Sequence, residues 1–313
     1  MEKKYLILRT ALTVVVFAGI GYASQAQKLK AVQEGNMRAP SNIHIDGKLT
    51  EWDGTFKAYN NTTDLFYTIS NDDENLYFAI KAGNRFIANK LLGGGINFAI
   101  NTTDQKKDRS AYTVVFPLID PDSARVQMGL PKFFVSGTTV MFMGPPPSSP
   151  PTGFSNSPMD SAAIVTMRKR AAHASREIKL RNFPTAELAD SVISAYNELG
   201  FKAVLGVDSK GGLALELAIP LKYLKLSTDD PEEFAYNIKL NGMTSTAPAP
   251  PPFDPGGPPP MAGGPPRGDA VRDGGGGPPG GNMGPPPMLP SPDDMRSMAS
   301  STDFWGKYKL AKK

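Results

Sequence analysis

The chain has no cysteine. That excludes disulfides, thiolate metal centres, cysteine nucleophiles and a lipidated N-terminal cysteine, so an exported form has to be stable on its core alone. Histidine is almost as scarce. Only His44 and His173 occur in 313 residues, too little material for a histidine-based triad or metal centre. Tryptophan is limited to Trp52 and Trp305. Neither sign of charge is in strong excess, since the net charge is +4. No basic stripe with interleaved aromatics occurs, which argues against a nucleic-acid partner. Arg168-Lys169-Arg170 is the one tight basic cluster and reads as a solvated face. Gly93-Gly94-Gly95 lacks the following lysine and helix start of a phosphate-binding loop. The one long apolar run near the start, Ala11 to Ala23, is shorter than the ~20 residues that a membrane span needs.

What is present begins with a targeting pattern. Lys3, Lys4 and Arg9 precede the apolar run, and Ser24-Gln25-Ala26 offers small residues where a signal peptidase cuts. Residues 1–26 therefore read as a signal peptide cleaved after Ala26, with Ala23 as the alternative. This implies an exported protein, whether periplasmic, outer-membrane-associated or secreted, with no membrane span after signal removal.

Residues 27–313 read as one domain interrupted twice. A Pro-rich loop covers 144–158. A disordered Pro/Gly-rich insertion covers 245–298, where 28 of the 43 residues from Pro248 to Pro290 are proline or glycine. Such composition cannot bury enough apolar surface to offset its ordering entropy. After it, Asp303 to Leu310 alternates aromatic or apolar with polar residues, a strand that returns to the sheet.

Alternation or β-branched runs predict strands at Leu65–Ile69, Leu76–Ala82, Ile96–Asn101, Ala111–Pro117 and Phe133–Phe142. Further strands are expected at Ala162–Met167, Ala174–Leu180 and Phe234–Leu240. Phe201–Val207 and Leu213–Ile219 read as a hairpin around Asp208-Ser209-Lys210-Gly211-Gly212. One helix is expected from Thr185 to Leu199, on the spacing of Leu188, Val192, Ile193 and Tyr196 before Gly200. Many short strands with one short helix indicate an all-β, antiparallel β-sandwich of immunoglobulin or jelly-roll type.

Two segments carry more specific information: Ile45-Asp46-Gly47 with Trp52, and Asn71-Asp72-Asp73-Glu74-Asn75 running into Leu76-Tyr77-Phe78-Ala79-Ile80. With Leu213 to Pro220, Phe234 to Asn241 and Phe304-Trp305-Gly306, they resemble family 9 carbohydrate-binding modules, relatives of the DOMON-type β-sandwich superfamily. The Gly/Pro-rich insertions are similar to those of exported Bacteroidetes-type proteins. The resemblance covers about half of residues 27–313. It implies a non-catalytic module that binds polysaccharide or oligosaccharide. One alternative is a cell-envelope structural or protein-interaction module that has lost the sugar site, with the Pro/Gly-rich loop reaching a protein partner. Another is an accessory part of a glycoside-hydrolysing system.

The resemblance does not supply the site. The family stacks sugar between tryptophans, and neither Trp52 nor Trp305 matches that clamp; Trp52 reads as core. Tyr59, Tyr67, Tyr112 and Trp305 are the substitute ligand-contact candidates, with Phe133 or Phe134 beside them. Strand aromatics are more often core or cross-strand pairs. Some relatives hold structural calcium, for which Asp72, Asp73 and Glu74 are the candidate ligands, followed by Asp104 and Asp108. A hairpin turn explains Asp72 to Asn75 more simply, since Asp and Asn bond their own backbone. No other cofactor is expected. Asp46 and Glu216 are the only acidic pair that a glycosidase reading could single out, and a turn aspartate and a strand glutamate account for them equally well.

Overall fold

The computed structural model describes residues 29–52, 55–102, 110–136, 139–143, 158–183, 188, 191–229, 231–243 and 290–313. The expected signal peptide, the expected Pro-rich loop over 144–157 and the Pro/Gly-rich tract over 244–289 lie outside them, as do Asp104, Asp108 and the Phe134 side chain.

A 3-10 turn at Thr50–Trp52 precedes strands β1 (Ala58–Asn60), β2 (Leu65–Asn71) and β3 (Asn75–Ala82), then helix α1 (Arg85–Gly94). Strands β4 (Ile96–Asn101) and β5 (Tyr112–Phe116) follow, then helix α2 (Pro121–Gln127) and strands β6 (Lys132–Ser136) and β7 (Thr139–Met143). Helix α3 (Ser161–Ala174) leads to β8 (Glu177–Arg181), β9 (Val192–Ser194), β10 (Lys202–Val207) and β11 (Leu213–Pro220). The chain closes with α4 (Leu221–Leu224), β12 (Glu233–Leu240), α5 (Pro292–Ala299) and β13 (Thr302–Lys309).

The strands form a five-stranded sheet ordered β1-β2-β3-β11-β10, a six-stranded sheet ordered β13-β12-β4-β5-β8-β9, and a separate β6-β7 ribbon. The pairings within them are antiparallel. The fold is thus mostly β. β13 pairs with β12 from Glu233↔Lys309 to Leu240↔Thr302, so the segment beyond the Pro/Gly-rich tract returns to the sheet as its alternation predicts.

One apolar cluster joins the two large sheets. Tyr67, Ile69, Phe78, Ile80, Leu215 and Leu217 of the first meet Phe98, Ile100, Val114, Phe234, Tyr236 and Ile238 of the second. The Phe78 and Phe98 rings lie 5.1 Å apart, and the Tyr67 and Tyr236 hydroxyls are hydrogen-bonded at 3.0 Å. Burying each such side chain contributes about 1.5–3 kcal/mol before entropy is counted.

Helical content exceeds the single helix expected. α1 is missed because its sequence reads as a turn at Gly93–Gly95. The Asn84 side chain caps its start by accepting from the Ile87 amide, and Gly95 ends it at φ 72°. α3 replaces the strand expected at 162–167, while the strand expected at 174–180 forms as β8 but begins only at Glu177, because α3 runs to Ala174. Asp160 caps it, and Ile164, Met167, Ala171 and Ala174 recur at helical spacing, with Met167 and Ala171 buried. The β-branched Ile164, Val165 and Thr166 mimic a strand only when read alone. The expected helix over Thr185–Leu199 is corrected within its described part. Val192–Ser194 is an edge strand paired with β8, and Asn197 organises a turn by donating to the Ser194 and Phe201 carbonyls. The 133–142 strand is a hairpin of β6 and β7. α5 begins inside the stretch assigned to the disordered insertion, 245–298, and corrects that boundary. A Ser291–Asp294 capping box, Pro292 in the first turn, and buried Met295 and Met298 account for it.

Candidate functional site

The outer face of the five-stranded sheet positions the site. Residues 39–52 cross this face, and Leu49, Trp52, Ile43 and Ile45, with Phe56, pack on Tyr77, Ala79, Ala214 and Ala218. Glu216, fully buried in mid-β11, holds the segment in place. Its Oε2 accepts the Asp46 and Gly47 amides at 3.0 and 2.6 Å, and its Oε1 accepts the Trp52 indole N–H at 2.9 Å. Burial pushes the Glu216 pKa upward, against the three donors that pull it down. Gly47 adopts φ +81° directly over Gly206 of β10, where a Cβ at Gly206 would overlap the Gly47 carbonyl. The Ile-Asp-Gly turn, Trp52 and Glu216 therefore form one structural clamp.

Beside the clamp, strand register lays out a row across the sheet: Tyr59↔Phe66, Phe66↔Lys81, Lys81↔Ala214 and Ala214↔Gly206. Two rings and a lysine occupy one half, and two very small residues the other. The small residues leave a cleft of about 800 Å³. Leu49, Trp52, Phe56, Leu205 and Ala214 form its apolar lining, and Lys48, Lys81, Arg168, Asp46 and Asp208 its polar part. Phe56 carries the apolar surface onward, 5.8 Å from the Phe66 ring, which is in turn 4.5 Å from Tyr59. All three rings are half-buried.

α3 closes the other side. The Arg168 Nε and Nη2 donate to the Val207 and Asp208 carbonyls at 3.2 and 3.3 Å, and the Ser175 hydroxyl accepts the Leu205 amide. These contacts occupy backbone groups of edge strand β10. Asp46 bonds the amide and ammonium of Lys48, and the ammonium contact holds its carboxyl below the usual range. Asp208 Oδ1 accepts the Lys210 and Gly212 amides of its own turn.

The sequence candidates scatter around this arrangement. Tyr59 belongs to it, with its hydroxyl on Asp64. Tyr67 is fully buried and its hydroxyl is bonded within the core, so it offers nothing to a ligand in this state. Tyr112 is half-buried against Phe183 at 5.5 Å, on the other sheet. Trp305 sits half-buried on β13, the edge of that sheet. Phe133 is buried in a second cluster with Met128, Met243, Met295 and Met298. Trp52, 3% exposed, is core as expected.

Asp72 forms the turn: its Oδ1 accepts the Glu74 and Asn75 amides and its Oδ2 the Tyr77 hydroxyl. Asp73 instead pairs with Arg38 at 2.8 Å, with Lys313 further off, and Glu74 is exposed. Among the described residues no three His, Asp or Glu side chains gather as a metal site.

Phe56, Phe66 and Lys81 carry no role in the sequence reading, and Arg168 and Asp208 appear there only as part of a solvated basic cluster and of a hairpin turn. Only their register and the approach of α3 bring them together, and no motif marks them. No helix among the described residues is long and apolar enough to cross a membrane. Comparison with protein-family models, with curated proteins and with solved structures returns no match.

Proposed function

We propose that this chain is an exported, non-catalytic glycan-binding module, a β-sandwich resembling family 9 carbohydrate-binding modules, with its ligand in the cleft beside the clamp. One observation carries the reading: a half-buried series of rings, Tyr59, Phe66 and Phe56, runs into a cleft of about 800 Å³ rimmed by charged groups on a rigid sheet. Rings offer their faces to the C–H side of a pyranose, while rim groups bond hydroxyls. Glu216 has both oxygens bonded to the clamp, and Asp46 is held by Lys48, so neither stands ready as a general acid or nucleophile.

The test is a glycan array and calorimetry with the mature protein. Phe56→Ala and Tyr59→Ala are expected to weaken binding while the melting temperature stays within a few degrees of wild type. Silence across plant and microbial glycans would sink this reading. It would favour a cell-envelope interaction module, for which the engagement of Trp52 in the clamp with Glu216, rather than as an exposed stacking platform, is the supporting observation.

A further inference from the structure

The charges around the cleft do not cancel, and the surplus sits at one end. Asp46 and Lys48 neutralise each other at 2.6 Å beside the clamp. At the opposite end two cations, Lys81 and Arg168, stand with the single carboxylate of Asp208, and Arg168 donates to the Val207 and Asp208 backbone carbonyls rather than to that carboxylate. That carboxylate already accepts two amides of its own turn, and its contact to the Lys81 ammonium is 3.9 Å, beyond hydrogen-bond reach. The Lys81 ammonium makes no hydrogen bond among the described residues. The residue nevertheless stands in mid-sheet, directly across from Phe66 on one side and Ala214 on the other. A cation flanked by a ring and a trough, with nothing bonded to its ammonium, suits a ligand that brings both a pyranose face and a negative group.

Resting on the glycan reading above, we propose that the cleft takes an acidic glycan. The sugar lies on Phe56 and Phe66, and a ring-borne carboxylate or sulfate ester is bonded by Lys81, with Arg168 adding to the field. Both groups are anionic oxygens on a pyranose and share this chemistry.

The experiment measures binding of the mature protein to matched pairs by calorimetry at low and physiological salt: polygalacturonate against its methyl ester, and dextran sulfate against dextran. Binding to at least one acidic member is expected to be about tenfold tighter than to its neutral partner. Lys81→Gln should remove that preference. Lys81→Arg should keep it, and Lys309→Gln, an exposed lysine on the other sheet, should leave it unchanged. Which pair shows the effect separates carboxylate from sulfate.

Equal affinity within each pair, lowered by Phe56→Ala, overturns the acidic assignment and leaves the glycan reading standing. Acid binding lowered equally by Lys309→Gln and Lys81→Gln also overturns it, because that describes diffuse charge attraction. No binding to any of the four overturns the acidic assignment, and silence across the glycan array as well overturns the glycan reading with it. Melting temperatures of all variants within a few degrees of wild type ensure that a loss reports the contact and not the fold.

Discussion

Replacing Glu216 by glutamine tests the clamp most directly, because the change keeps size and removes only charge and one acceptor. Both carboxylate oxygens face N–H donors, Oε2 the Asp46 and Gly47 amides and Oε1 the Trp52 indole. Neither orientation of an amide can satisfy both sides. The better one keeps the carbonyl on the two backbone amides and turns –NH₂ toward the indole N–H. One charge-assisted hydrogen bond of about 1.5–3 kcal/mol is lost and a buried donor pair is left unmatched at about 1–3 kcal/mol. Relief of the carboxylate's burial offsets part of this. The net expectation is about 3 kcal/mol of lost stability at pH 7.

Trp52→Phe removes the indole donor and costs about 2 kcal/mol alone. In the double variant the amide no longer meets an N–H, so the two losses should combine to about 1–2 kcal/mol less than their sum. Urea unfolding followed by far-ultraviolet circular dichroism, which does not depend on Trp52 fluorescence, measures all four corners of the cycle. Strictly additive losses, or a Glu216→Gln variant as stable as wild type, would refute the clamp.

The raised pKa of Glu216 predicts a pH dependence of definite sign. A folded pKa above the unfolded value gives stability that is full below the unfolded value of about 4.5 and is lost as pH rises through the folded one. The penalty of Glu216→Gln should therefore be largest near pH 4 and shrink toward neutrality in urea titrations; a growing penalty would contradict it. Lys90 on α1 is 2% exposed, and burial lowers its pKa to about 8 from 10.5. Its ammonium opposes folding at neutral pH, so stability should rise between about pH 8 and 10.5. Lys90→Met should add about 2–3 kcal/mol at pH 7 and flatten that rise, both read from chemical unfolding midpoints. Gly206→Ala should cost about 2–3 kcal/mol by pushing the Gly47 carbonyl off β10, and should loosen the cleft wall with it.

Most of the sheet was legible in the sequence because its strands alternate. Leu76–Ala82, Ile96–Asn101, Leu213–Ile219 and Phe234–Leu240 each place one face in the core, and a period of two is visible without any partner. The return of Asp303–Leu310 to β12 followed from the same alternation. Helices were read poorly. α1 and α5 are held by caps and tertiary burial at their ends, while the run of Val192, Ile193 and Tyr196 carries a helical spacing that pairing with β8 overrides.

The sequence by itself determined the predominantly β fold, the Ile-Asp-Gly turn and the buried place of Trp52, because each depends on local pattern or on a large apolar surface that water disfavours. Only the tertiary structure decided what Glu216 does and where a ligand has room. The bond from Trp52 to Glu216 spans 164 residues. The row from Tyr59 to Gly206 exists only through four strand pairings, and the one that joins its two halves, Lys81 to Ala214, spans 133 residues. Periodicity says which face a residue is on, but register alone says which residue stands beside it.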